Sequence, residues 1–241
     1  MNLITDMRLF IKKFSVFCLA FITMSLFVQS RIGNINVENE SNTTPNLNAN
    51  PDSLFKLKLV SAGLSPQAFE IAMAKFHSLT SGKRLKNDSL LTIIDFNQPS
   101  FKERFYLLDV KNKKLVKQTL VAHGKNTGMV NAVKFSNRCH SLQSSLGTYI
   151  TGKTYSGKHG YSLRLDGMEP GFNSNARQRA VVVHAADYVA KDFIAKNGRI
   201  GRSFGCPALP VDENNEIINL IKNKSCLFIY HKTYLSKTNN L

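Results

Sequence analysis

The spacing of apolar positions changes character near residue 82. Before it, Phe69, Met73 and Phe76 recur at helical spacing, and Ser65-Pro66 has the form of an N-cap followed by a first helical residue. Residues 51–79 therefore predict two short helices. After Ser81-Gly82, short apolar runs alternate with Gly, Ser and Asn turns. Residues 90–96 (LLTIIDF) predict one strand, and residues 104–110 and 115–122 predict a hairpin around the Lys111 to Lys114 turn. Further strands are expected at 132–135, 147–150, 163–165, 180–184 and 225–231. A short helix is expected at 211–222, with Asp212 near its start. Many short strands and few helices imply a mainly β domain, a sandwich or barrel, with a small N-terminal helical element. No internal repeat is visible.

Residues 1–30 follow a different rule. Arg8, Lys12 and Lys13 precede an uncharged apolar run at 14–28, and Val28 and Ser30 supply small residues at the −3 and −1 positions of a cleavage site. A membrane span needs about 20 apolar residues. The segment therefore reads as a secretory signal peptide, with an uncleaved anchor as the minor alternative. A lipoprotein reading through Cys18 is weaker, because bulky Phe17 precedes it. Residues 31–50 are rich in Asn, Ser, Thr and Glu and read as a disordered linker. The folded domain is then expected over 51–236, with its helices in 51–80, in the periplasm or secreted to the envelope.

Composition adds two constraints. The chain carries 32 basic and 16 acidic residues, a net charge of +16. Without residues 1–30, 29 basic residues face 15 acidic ones. Such a surface suits an anionic partner, and outside the cytoplasm that means cell wall or membrane surface. Simple solubility explains the charge about as well. A nucleic-acid partner would rest on charge alone, since no recognition motif is present. The signal segment is the one expected membrane contact. Three cysteines remain past residue 30, an odd number for an oxidising compartment. Either Cys139 and Cys226 pair and leave Cys206 free, or all three are reduced with Cys226 buried.

The candidate chemistry lies between Val181 and Pro210. A run of β-branched residues, Val181-Val182-Val183, delivers His184, and a glycine turn, Ser203-Phe204-Gly205-Cys206-Pro207, delivers a cysteine. A thiol becomes an effective nucleophile when a histidine takes its proton. Gly205 permits a tight backbone, and amides near Phe204 to Cys206 suit an oxyanion hole; Pro207 has no N–H to add. Taken singly, Cys206 reads equally well as a structural thiol and His184 as a core histidine, and their spacing does not force contact.

The ordered set of motifs carries more. It includes Leu91 to Phe96, Val121-Ala122-His123-Gly124-Lys125-Asn126, Phe135-Ser136-Asn137, Ser144-Ser145-Leu146-Gly147, Gly157 to Gly167, and Gly201 to Leu209. This set resembles the murein L,D-transpeptidase catalytic-domain family, cysteine enzymes that cross-link peptidoglycan stem peptides. The resemblance implies Cys206 as nucleophile, His184 as general base, and Ser203 and Gly205 as the motif serine and glycine. It implies no cofactor and no metal. It implies acyl transfer from a stem peptide with release of D-alanine and a 3→3 cross-link, or L,D-carboxypeptidase action when water is the acceptor. In this sequence Phe204 replaces the motif histidine, and Ala208 stands where an arginine is usual. His159, Tyr161, Arg164 and Arg202 are candidates for binding the stem peptide and its carboxylates, with Lys158 and Arg199 as further cations. His159-Gly160-Tyr161 reads equally well as a turn packed on the core.

Two rival classes remain at this level. His159 and Asp166 have the H-x6-D spacing of zinc D-Ala-D-Ala peptidases, with His184 and Asp187 as further ligand types, but no downstream H-x-H pair exists. A non-catalytic wall-binding protein would keep the fold and the basic face alone.

Overall fold

The structure, a computed structural model, describes residues 50–238. The expected signal segment and all but the last residue of the expected linker lie outside the described residues. Among the described residues, no helix is long and apolar enough to cross a membrane.

The chain begins with α1 (Pro51–Ser61) and α2 (Pro66–Ser81). Ala68, Phe69, Ala72, Phe76 and Leu79 form the buried face of α2, and Phe55 of α1 meets Phe69 edge-on at 5.8 Å. Ser65 stands at the N-cap as predicted, but its hydroxyl does not cap. Its N–H and Oγ both donate to Asp95, a buried carboxylate, which ties the helix to the sheet.

The sheet follows as β1 (Leu90–Asp95), β2 (Phe105–Asp109), β3 (Lys114–Thr119), β4 (Gly147–Gly157), β5 (Gly160–Gly167), β6 (Val182–Ala185), β7 (Ala208–Leu209) and β8 (Cys226–Tyr230). Helix α3 (Lys191–Asn197) separates β6 from β7, α4 (Val211–Ile221) follows β7, and α5 (Thr233–Thr238) ends the described chain. Spatial order is β3-β2-β1-β8-β4-β5-β6-β7. The central pair, β1 and β8, is parallel and buried along nearly its whole length, which is why both read as unbroken apolar runs. Past β3, Ala122 N–H donates to Ala208 O of β7 at 2.9 Å. This bridge brings the two ends of the sheet together. The result is an eight-stranded mixed sheet nearly closed into a barrel, with few short helices, so the sandwich-or-barrel expectation resolves to the barrel.

Three local expectations change. Residues 132–135 form no strand; this stretch packs through Ala132 and Phe135 as irregular backbone. The strands expected at 147–150 and 163–165 are the cores of a longer hairpin, which the polar residues of 153–161 extend. Neither α5 nor the two-residue β7 was anticipated. Among the described residues the cysteines, Cys139, Cys206 and Cys226, are all free, so the expected Cys139–Cys226 pairing is absent there. Cys226 is fully buried on β8, where burial pushes its thiol up to about 12.

Candidate active site

Parallel pairing of β6 and β7 sets His184 opposite Ala208 and Ala185 opposite Leu209. Cys206 therefore lies just before β7, alongside the start of β6. The Cys206 thiol donates to Ala180 O at 3.7 Å and lies near the Val182 N–H. Two elements separated by α3 in sequence thus meet through strand register.

Gly205 explains the shape of the turn. Its φ is +127°, and a Cβ there would lie 2.7 Å from Gln143 O. An L side chain fits neither the conformation nor the space. Ser203 staples the turn: its Oγ accepts from Gly205 N–H at 3.0 Å and donates to Cys206 O at 2.6 Å. Phe204, at the position of the motif histidine, is 72% exposed, with Lys125 Nζ 5.7 Å from its ring centre.

His184 is buried, and its Nδ1 lies 2.8 Å from Ala185 O. A carbonyl only accepts, so Nδ1 carries the proton and Nε2 is left as a lone-pair acceptor. Burial holds the imidazole below its usual pKa, with His159 adding like-charge repulsion against the Ala185 hydrogen bond. The ring of His159 stacks on His184 at 4.5 Å. His184 and Cys206 share no hydrogen bond in this structure, the thiol being turned toward Ala180.

Burial raises the Cys206 thiol pKa, opposed by the Val182 N–H and by the positive charge of Arg179. Arg179 was not singled out in the sequence. Its guanidinium donates to Ser136 O at 2.7 Å, Ser145 Oγ at 3.1 Å and Gln143 O, binding the 136–145 loop over Gly205. It places a cation near the thiol. Arg-x-Arg before the apolar run was the visible signal, but nothing local aims either arginine.

Beneath the nucleophile turn lies a buried polar network. His123 O accepts from Ser203 N–H at 3.0 Å, and Lys125 N–H donates to Ser203 O at 2.7 Å. The His123 ring accepts from the fully buried Arg104 at Nδ1 (2.8 Å) and donates through Nε2 to Gly128 O (3.1 Å). Arg104 also donates to Val121 O and Gln98 O and stacks on Phe96. Burial lowers Arg104 from 12.5 to about 9 and, with the nearby Arg104 charge, lowers His123 from 6.5 to about 3. Arg104 is thus a cation and His123 neutral near pH 7.

The stem-peptide candidates separate in space. His159 sits at the tip of the β4–β5 hairpin, and Tyr161 anchors that hairpin through a 3.0 Å hydrogen bond to Asn219 Oδ1 on α4. Both line a groove of about 520 Å³ with Lys158, Asp187, Tyr188 and Asn214. Arg164 does not line that groove; it stacks 4.5 Å from the centre of the Tyr155 ring on the outer face of the hairpin. Arg202 donates to Lys125 O and Gly128 O and so braces the loop before the site. Arg199 donates to Ile200 O. Asp166 is held bidentately by Arg177 at 2.7 Å rather than meeting His159. Among the described residues, no three His, Cys, Asp or Glu side chains cluster as metal ligands.

A family model described as the L,D-transpeptidase catalytic domain matches residues 60–230. Similar solved structures include an L,D-transpeptidase from Mycobacterium smegmatis, at 12% identity and a TM-score of 0.36, covering 59% of each chain. Another is an L,D-transpeptidase from Stackebrandtia nassauensis, at 11% identity and a TM-score of 0.37, covering 66% of this chain and 64% of that one. L,D-transpeptidase 3 from Mycobacterium tuberculosis, in complex with a faropenem-derived adduct, aligns at 10% identity and a TM-score of 0.37, over 59% and 60% of the two chains. The chain spans about three-fifths of the length of the solved structures it matches. No curated protein matches. The match of the family model across most of the barrel, over the nucleophile turn and the histidine strand alike, places this chain in the L,D-transpeptidase catalytic domain family.

Proposed function

We propose that the chain is a peptidoglycan acyltransferase that works through a Cys206 acyl-enzyme and forms 3→3 cross-links. The observation that carries this is the parallel β6–β7 pairing, which sets His184 opposite Ala208, two residues past Cys206, with His184 Nε2 free to accept a proton. Apo thiol–imidazole geometry is commonly long and tightens when substrate binds. In the proposed cycle, Cys206 turns from Ala180 O toward His184, which takes the thiol proton. The sulfur attacks the carbonyl of the third stem residue at its bond to D-alanine. The C–S bond forms, the C–N bond breaks, and the His184 proton goes to the departing amine. Amides of Phe204 and Cys206 are the proposed oxyanion donors, since Gly205 N–H is taken by Ser203. An amine from a second stem then displaces the sulfur. Water in its place gives an L,D-carboxypeptidase.

The proposed site is outside the cytoplasm, delivered by residues 1–30, with the net positive charge favouring the anionic wall. No metal or cofactor is required in this scheme. The zinc alternative loses its motivating pair, because Asp166 is bound to Arg177.

Mass spectrometry of purified disaccharide-tetrapeptide incubated with the protein, beside Cys206→Ala, tests the reading. The expected product is a dimer lighter by one D-alanine, absent with the variant. Tripeptide alone would assign hydrolysis to the same thiol. Equal product from both proteins would remove Cys206 as nucleophile. Binding without turnover would leave a non-catalytic wall-binding protein.

A further inference from the structure

Helix α1 is apolar on two sides and covered on one. Phe55 and Leu59 are buried in the core, whereas Leu54 and Leu57 on the opposite side are 51% and 63% exposed. Three residues apart, these two leucines share a helix face, which also carries exposed Lys58, one turn on from Leu54. A helix that is apolar all round is ordinarily buried all round. Among the described residues nothing covers this outer face, and exposed apolar side chains grouped on one face mark a surface that meets a partner.

Cations gather where this helix begins. Lys113 of the β2–β3 turn pairs with Asp52, in the first turn of α1, at 2.8 Å. From the same turn Val110 N–H donates to Ser89 O at 2.8 Å, just before β1, and Lys86 N–H donates to Lys224 O at 3.0 Å, just before β8. These three ties lace the start of α1, the α2–β1 connection, the β2–β3 turn and the α4–β8 connection into one pole of the barrel. The α2–β1 connection contributes Lys83, Arg84 and Lys86. The turn adds Lys111 and Lys114 to Lys113, and the last connection adds Lys222 and Lys224. Three carboxylates share these segments: Asp52 is taken by Lys113, Asp109 accepts from Asn112, and Asp88 is exposed. Of the cations, Lys113 alone makes an ion pair among the described residues. The pole therefore holds a positive potential with little internal compensation.

We propose that the outer face of α1 and this basic pole form a docking surface for an anionic lipid bilayer. A soluble polyanion would satisfy the cations but offers nothing to Leu54 and Leu57. A bilayer satisfies both: acidic headgroups meet the ammonium and guanidinium groups, the acyl boundary receives the leucines, and the lysine stems lie along that boundary. The path of the chain agrees. The described residues begin at Asn50, at this pole, and the uncharged apolar run at 14–28 ends 21 residues earlier. Fully extended, that stretch spans at most about 75 Å, so a chain still held by the run has this pole within reach of the membrane. The surface itself needs no part of residues 1–30 and holds the domain at a bilayer once they are removed. It is a second membrane contact beside the signal segment, and it is independent of the Cys206 reading. None of its residues lies in the nucleophile turn, the His184 strand or the β4–β5 tip.

The test is co-sedimentation of the full chain with vesicles of phosphatidylcholine, with and without phosphatidylglycerol. Two variants share the parent's N-terminus, so any adsorption through residues 1–30 is common to all three proteins. One is Lys83→Gln with Arg84→Gln and Lys86→Gln; the other is Leu54→Gln with Leu57→Gln. All five positions are exposed, and both variants are expected to keep the parent's urea unfolding midpoint. The parent is expected to prefer vesicles that contain phosphatidylglycerol. Each cation removed should lower that partition constant about fivefold, so the triple variant should lose about a hundredfold. The leucine pair should cost about tenfold or more. Equal binding of the parent to both kinds of vesicle would overturn the docking surface. So would unchanged binding by both variants, which would assign adsorption to the N-terminal segment. Binding that falls with the cations but not with the leucines would also overturn the bilayer as partner, and would leave a soluble polyanion in its place.

Discussion

Acid should loosen the floor of the site through His123. Its ring is fully buried, accepts from a guanidinium at Nδ1 and donates to Gly128 O, so protonation would strand a charge beside Arg104. The folded pKa is lowered from 6.5 to about 3. For a depressed pKa the unfolded chain binds the proton first, so stability is present above pH 6.5 and is lost as pH falls toward 3. At 1.36 kcal/mol per unit, the loss is about 2 kcal/mol by pH 5 and about 5 kcal/mol once pH reaches the folded value. That is a large part of the stability of an ordinary domain. Urea unfolding at pH 7 and pH 5 measures it, with His123→Gln as the partner experiment. Glutamine can accept from Arg104 and donate to Gly128 but cannot titrate in this range. The variant should lose about 2 kcal/mol less than the parent between the two pH values, while losses from His184 and His231, both also lowered by burial, persist in each. Identical pH dependence in parent and variant would refute the assignment of His123 as a neutral, acid-sensitive support of Ser203.

Other perturbations follow from the same geometry. Gly205→Ala adds about 1–3 kcal/mol of backbone strain and a Cβ 2.7 Å from Gln143 O. Acyl-enzyme formation should fall steeply with little change in secondary structure by circular dichroism, and unchanged formation would count against the tight turn. Arg179→Gln removes the positive charge near the sulfur, so the iodoacetamide alkylation profile of Cys206 should move to higher pH; an unmoved profile would detach Arg179 from the thiol. Phe228→Ala opens a cavity on the central β8 strand and should cost about 3–5 kcal/mol in urea unfolding, with a loss under 1 kcal/mol contradicting the packing described. Turnover should survive chelation by EDTA, and its loss would return a metal to the mechanism.

The sequence by itself determined which segments are apolar and that a glycine turn carries Cys206; pairing that thiol with His184 was what the family resemblance implied, since spacing alone left it open. Helices α1 and α2, the β2–β3 hairpin and β8 were legible because each is specified by short-range periodicity or by a continuous apolar run. The stretch at 132–135 was misread because its apolar residues pack on the core as irregular backbone. Residues 153–161 were missed as strand because a hairpin that projects from the barrel keeps polar residues on both faces. What only tertiary structure decided is proximity. The 22 positions between His184 and Cys206 are folded back by the β6–β7 register, which sets His184 opposite Ala208, two residues past the cysteine, and closure of the barrel at Ala122–Ala208 brings the Arg104–His123 network under Ser203. Arg179, Arg202 and Arg164 are alike as letters. The fold sends the first to the nucleophile loop, the second to brace carbonyls and the third onto a tyrosine.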